Sequence, residues 1–178
     1  RGTILMRMFY PDRREKSAYT IDYADLYRKG YRGVIFDIDN TLVPHGAPAT
    51  KEAAAFFASL RETGFSTCLL SNNQKPRVAP FADAVGSIYI ENAHKPSVKN
   101  YQEACRRMGI KEEQAVFVGD QLFTDVYGAK RTGLYNILTE PINPKEEIQI
   151  VLKRYLEHIV LFFYERDLAR GRITKKNS

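Results

Sequence analysis

Two carboxylates stand two residues apart in the stretch GVIFDIDNTLV, where Asp37 and Asp39 follow an apolar run with the length and content of a buried strand. Like charges at that spacing repel, and a core strand has no use for either. Asp, Asn and Thr are also ordinary turn and cap residues, so this stretch alone reads almost as well as a polar turn. Three further polar clusters weigh against that reading. SNNQ follows the apolar STCLL, ENAHKPS follows SIYI, and GDQLFTD overlaps the end of AVFVG. Pooled, they offer the carboxylates Asp37, Asp39, Asp120 and Asp125, the Ser71 hydroxyl, the amides of Asn72 and Asn73, and one cation, Lys95. Hard oxygen donors of this kind favour magnesium, which takes one or two carboxylates and keeps water for the rest. Lys95 and Ser71 suit a phosphate anion.

The elements that must position these groups alternate. GVIFDI is followed by TKEAAAFFASLRETG, a helix with Thr50 as N-cap and Gly64 as stop. STCLL, SIYI, AVFVG and LYNIL supply four more strands, and PSVKNYQEACRRMG a helix that opens near Pro96 and stops at Gly109. Short links between strand and helix predict an α/β fold: a mainly parallel, five-stranded sheet with helices on both faces. In such sheets ligands bind beyond the carboxyl ends of the strands, where the strand order reverses. Every polar cluster sits at such an end. Without repeats or linkers, the 178 residues read as one domain, with a catalytic core over about 33–140 and a C-terminal helix over about 145–170.

Composition narrows the class. A hydrophobic share of 44% with 27% charged residues excludes a disordered chain, and no run of about 18 apolar residues exists to span a bilayer. Cys68 and Cys105 read as separate packing thiols, which favours a reducing, cytoplasmic setting. The residues before Met6 lack the apolar segment of a signal peptide and read as an added remnant. The net charge of +6 lies at the ends: residues 1–33 carry 8 basic and 4 acidic side chains, residues 34–152 carry 12 and 14, and residues 153–178 carry 7 and 3. Basic ends around a near-neutral middle point either to an anionic surface or simply to solubility.

DIDNT, Ser71, Lys95 in HKPS and GDQLFTD, in this order, resemble the four motifs of the haloacid dehalogenase superfamily of phosphotransferases, over about residues 33–140. The resemblance implies a Rossmannoid three-layer fold and assigns roles. Asp37 would be the nucleophile that forms an aspartyl-phosphate, and Asp39 the acid that protonates the leaving oxygen and then activates water. Magnesium would be held by Asp37, the main-chain carbonyl of Asp39 and Asp120. Ser71, Asn72 and Lys95 would bind phosphate, Thr41 would orient the first motif, and Asp125 would reach the metal through water or orient Lys95. Two carboxylates at i, i+2 also resist carrying two charges, which suits one of them to keep a proton. An intact Asp39 argues against a non-catalytic phosphate-binding module. His94 is expected to shape its loop, and His45 is equally a site-entrance or a surface residue.

Many members of that superfamily insert a cap domain after the first motif or between the second and third. Neither interval is long enough here, so no cap is expected, and an open site suits a phosphate on something large. The tracts PDRREKSAYTID and TDVYGAKRTGLYNILTEPI further resemble the YqeG-type family of subfamily IIIA, which includes phosphatidylglycerophosphate phosphatases. The expected partner is therefore a phosphorylated substrate, with a lipid headgroup foremost and a soluble or nucleic-acid phosphomonoester as the alternative. Nucleic-acid binding as such is not expected, because no aromatic stacking motif accompanies the basic ends. From Lys145 to Ala169 apolar residues recur at helical spacing and end in IVLFFY, which covers every side of a helix. That pattern leaves core packing, an oligomer contact or a peripheral membrane contact open.

Overall fold

The computed structural model describes residues 7–145 together with Leu152, Tyr155, Arg166, Ala169 and Arg170. The chain divides into two compact units, Arg1–Ile142 and Asn143–Ser178. Of the second, Leu152 and Tyr155 are helical and exposed. The helix expected over about 145–170 otherwise lies outside the described residues.

The first unit holds six strands: β1 (Arg13–Glu15), β2 (Gly33–Phe36), β3 (Ser66–Leu70), β4 (Ile88–Ile90), β5 (Ala115–Gly119) and β6 (Tyr135–Thr139). They form one parallel sheet in the order β1-β6-β5-β2-β3-β4. Five were expected; the sixth is β1, whose sequence RRE has no apolar residue to betray it. Its position as an edge strand explains that, because only its backbone pairs, with β6. A side-chain clamp fixes the register: Asn136, buried in β6, donates from Nδ2 to Asp12 Oδ2 at 2.6 Å and accepts from Asp12 N–H at 3.1 Å.

Five helices cross over the sheet: α1 (Tyr23–Arg28), α2 (Lys51–Thr63), α3 (Lys75–Val85), α4 (Val98–Met108) and α5 (Tyr127–Thr132). The end signals of α2 are those expected, with the Thr50 side chain accepting from Ala53 N–H and Gly64 in the left-handed region at φ 108°. α3 forms despite Pro76 and Pro80, since Pro76 falls in the first turn, where its missing N–H costs nothing. Period-two alternation sends β2 side chains both ways. Val34 and Phe36 join Leu26, Phe57, Leu60, Val78 and Phe81 in one core layer, while Ile35 joins Cys68, Tyr101, Ala104, Cys105 and Phe117 in the other. Both cysteines are free, and burial pushes both thiols up to about 12, so they act as packing residues.

Gly128 of α5 shows how tightly the second layer packs. A Cβ there would overlap the phenol of Tyr101, which is fully buried and donates to the Thr124 carbonyl at 2.8 Å. Replacing a helical glycine by alanine ordinarily stabilises by up to about 1 kcal/mol. Gly128→Ala should do the reverse and cost about 1–3 kcal/mol. The midpoint of urea unfolding at unchanged slope measures it, and a rise in midpoint would refute the close packing.

Candidate active site

β2 lies between β5 and β3, so the chain leaves the centre toward β4 and returns on the other side with β5 and β6. The order reverses between β2 and β5, and the carboxyl ends of these two strands carry Asp37 and Asp120. Asp37 extends the ladder by one bond, its N–H donating to Val118 O at 3.0 Å. Its carboxylate meets Lys95, whose Nζ lies 2.6 Å from Asp37 Oδ1 and 2.7 Å from Asp125 Oδ1. All three are buried.

Lys95 reaches this position because the loop after β4 is tied to the loop after β3. Ser71 N–H donates to Ile90 O and Ala93 N–H to Ser71 O, at 3.0 and 2.9 Å. The Asn72 side chain closes the tie by accepting from Lys95 N–H at 2.7 Å and donating to Lys95 O at 3.4 Å. Expected as a phosphate ligand, the Asn72 amide thus holds the lysine's backbone. Ser71 Oγ accepts from Asn73 N–H at 3.1 Å. His94 is exposed, sits at φ 50°, and its carbonyl accepts from Ser97 N–H, so it shapes the turn that presents Lys95.

On the other side, Thr41 Oγ1 donates to Asp120 Oδ1 at 2.8 Å, joining the first and fourth clusters. Asp125 folds back from a π-helical turn, Leu122–Val126, and Gln121 N–H donates to its Oδ2 at 3.2 Å. Gly119 makes this possible: a Cβ there would overlap the Asp125 carboxylate. Asp37, Asp120 and Asp125 each offer an oxygen within 4.8 Å of the others. Three carboxylates against one ammonium leave the cluster about two charges short, the deficit a divalent cation would fill, and oxygen donors are the type a hard cation takes. The donor set therefore fits a divalent metal. Burial opposes the charge on Lys95, but Asp125 and Asp37 outweigh it and hold its pKa above the ordinary lysine value. Burial, against the pull of Lys95, pushes Asp37 up to about 7.

Asp39 is half-buried and faces a different set of donors. Oδ1 accepts from Gly46 N–H at 2.8 Å and from Arg77 at 2.9 Å, and Oδ2 accepts from the Asn73 amide. Asn40, at φ 61° and fully buried, makes the sharp turn between Asp37 and Val43, its N–H donating to Val43 O. The eight residues given catalytic, phosphate-binding, metal-holding or orienting roles from the sequence, Asp37, Asp39, Thr41, Ser71, Asn72, Lys95, Asp120 and Asp125, thus stand on one sheet edge. Arg77 was missed. Its signal was a basic residue three positions past SNNQ in the first turn of α3, a place that sequence alone does not separate from solvated surface.

A buried carboxyl raised to about 7 keeps its proton below that pH, and a proton competes with a metal ion for the same oxygens. Affinity for a divalent cation should therefore climb by up to about tenfold per pH unit from pH 5.5 to 7 and level off above. Titration calorimetry in two buffers of different ionisation enthalpy reads both the affinity and the released proton. A flat profile with no proton release would remove Asp37 from the ligand set.

Known proteins place this geometry. The model of the haloacid dehalogenase-like hydrolases matches residues 46–133. The probable phosphatase YqeG of Bacillus subtilis is 34% identical over 164 residues, covering 92% of this chain and 95% of that protein. The chloroplastic/mitochondrial phosphatidylglycerophosphate phosphatase 1 of Arabidopsis thaliana is 29% identical over 161 residues, or 85% of this chain, which spans 46% of that longer protein. A crystal structure of an uncharacterized protein from Corynebacterium glutamicum shares the fold, with a TM-score of 0.53, 23% identity, and coverage of 68% of this chain and 93% of that one. A full-length match at this identity, on top of a sheet edge that assembles every motif, shows that the chain belongs to the haloacid dehalogenase-like hydrolases, in their YqeG-type phosphatase branch.

Proposed function

We propose that the protein is a magnesium-dependent phosphomonoester hydrolase that forms an aspartyl-phosphate on Asp37 and removes the terminal phosphate of phosphatidylglycerophosphate, leaving phosphatidylglycerol. The observation that carries the chemistry is the buried Asp37–Lys95–Asp125 chain at the end of the central strand, beside Asp120. Asp37, Asp120 and the main-chain carbonyl of Asp39 would hold magnesium, which supplies charge neutralisation between a carboxylate and a phosphate that otherwise repel. Asp37 attacks phosphorus as the bond to the leaving oxygen breaks, and Asp39 gives that oxygen a proton. Water then attacks the acyl phosphate while Asp39 takes a proton back. Lys95 stabilises charge on the transferring group and Thr41 keeps Asp120 aimed.

The lipid substrate is supported by the likeness to the phosphatidylglycerophosphate phosphatase of Arabidopsis thaliana and by access. Between Asp37 and Ser71 the chain builds only α2 and β3, and between Ser71 and Lys95 only α3 and β4. Nothing in those intervals can close over a small molecule. Directly after Asp120, Leu122 and Phe123 are exposed, the Phe123 ring by 70% and braced edge-on against Phe9 at 5.1 Å. Two apolar side chains beside the metal-binding edge suit a site that works against a bilayer surface. Among the described residues no helix is long and apolar enough to cross a membrane. On the proposed reading the contact is peripheral, from the cytoplasmic side, through Leu122 and Phe123.

The test is a panel of phosphomonoesters with magnesium, including phosphatidylglycerophosphate in mixed micelles. The lipid should have the highest kcat/KM, EDTA should abolish turnover and magnesium restore it. Asp37→Asn should lose at least about a thousandfold in kcat while remaining folded. Preference for a soluble ester would replace the lipid reading, and activity in Asp37→Asn within tenfold of wild type would refute the covalent one. Phe123→Ser should lower hydrolysis of the lipid in anionic vesicles several-fold more than hydrolysis of p-nitrophenyl phosphate, because burying a phenyl ring at an interface is worth about 2 kcal/mol. Equal effects on both would take Phe123 out of surface binding.

A further inference from the structure

Asp39 has an arrangement that its assigned task does not explain. A residue that must hand a proton to a leaving oxygen needs one oxygen facing that atom, yet both of its oxygens already accept hydrogen bonds, from Gly46 N–H, Arg77 and Asn73. Of these three donors, only Arg77 stands on a long side chain that can let go. Its guanidinium rests at 5.6 Å over the Phe81 ring, its side chain is 21% exposed, and its Nε is buried and makes no hydrogen bond with the described residues. An arginine carries five N–H donors in a fork shaped for phosphate. Among the described residues this one's side chain makes a single hydrogen bond, to Asp39.

Arg77 also lines a cavity of about 340 Å³ that begins at Gly46, whose N–H holds Asp39, and continues between Pro48, Pro76, Phe81 and Ala84. Arg77 is the one charged residue among the described lining. The prolines have no N–H to offer and the remaining wall is aliphatic or aromatic, so an anion entering there has Arg77 as its partner. At the small end of the about 300–1,000 Å³ usual for ligand sites, the cavity takes a polar group of a few heavy atoms and not a pair of acyl chains.

We propose that Arg77 and this cavity form a subsite for a second anion, a phosphodiester carried by the leaving alcohol about one glycerol away from the scissile phosphate, and that its binding draws Arg77 off Asp39. The side of the site follows from Asp39: the group that protonates the leaving oxygen marks where the leaving alcohol lies, and Arg77 touches that same carboxylate. The anion then does two things. It gives the fork a bidentate partner, and it opens one acceptor position on Asp39 Oδ1, beside the one that Gly46 N–H keeps, for the leaving oxygen. This subsite rests on the phosphomonoesterase reading and narrows its substrate to alcohols bearing a second phosphate.

The experiment compares two soluble substrates: glycerol 3-phosphate, and the same molecule with a methyl phosphodiester on its other primary hydroxyl. Wild type should prefer the diester-bearing compound about 10–100-fold in kcat/KM, the usual worth of a charge-assisted hydrogen-bond pair. In Arg77→Gln the ratio should fall to near one, and in Arg77→Lys, which keeps the charge and loses the fork, to an intermediate value. Ala84→Phe, which fills the cavity without touching Asp39, should lower the ratio as well, so the result does not hang on one substitution. A ratio unchanged in Arg77→Gln while both substrates slow together would make Arg77 a positioning residue for Asp39 and overturn the subsite. Absence of any preference in wild type would overturn it too, even if the long-chain lipid is turned over. Conversely, a clear preference between the soluble pair with no turnover of phosphatidylglycerophosphate would uphold the subsite and defeat only the lipid reading.

Discussion

A lysine ammonium with a side chain 4% exposed survives only if it is paired, and the pairing of Lys95 with Asp37 and Asp125 is what organises the site. The three residues come from the ends of three strands: Asp37 from β2, Lys95 from the loop after β4, Asp125 from the turn after β5. Removing one partner of such a buried pair typically costs about 3–5 kcal/mol, so the same contact that places Asp37 also pins three loops. Lys95 cannot leave and the carboxylates cannot spread. The deficit of positive charge that remains is therefore fixed in place, while burial pushes Asp37 up to about 7.

Sheet topology supplies what side chains alone cannot. Parallel pairing of β2 with β5 sets Phe36 opposite Val118, so the residues that follow, Asp37 and Asp120, emerge on the same edge at the point where the strand order reverses. Two details then make the edge workable. Gly119 leaves room for Asp125 to fold back, and Asn40 takes the left-handed conformation that turns the first motif under Thr41. Tyr101, buried beneath and bonded to the Thr124 carbonyl, holds that π-helical turn from below.

Much of this was legible in the sequence because the signals were local. Period and caps give α2 to the residue, apolar runs give β2, β3 and β5, and the four polar clusters give the site. What escaped depends on long-range pairing. β1 has no pattern of its own and exists because Asp12 and Asn136, 124 positions apart, clamp an edge. The tie between Asn72 and Lys95 escaped for a similar reason: an amide in a polar loop suits a phosphate, and only the folded chain reveals that its side chain also holds the Lys95 backbone. Arg77 looks like any surface arginine until Asp39 is placed next to it. Most of the C-terminal helix pattern falls outside the described residues, so the membrane proposal rests on Leu122 and Phe123, which the sequence did not single out.

An open site places its own demand on Asp39. Enzymes that close over substrate exclude water and select by enclosure. With α2 and α3 the only helices between the first three motifs, that route is closed here, and the contacts of Asp39 are set by its neighbours. Gly46 N–H, Asn73 and Arg77 occupy both of its oxygens. On the proposed reading, release of Arg77 opens a position on Oδ1 for the leaving oxygen, and a leaving group that satisfies the guanidinium fork compensates that release. A site without a lid then discriminates among phosphates by what lies on the far side of the scissile bond.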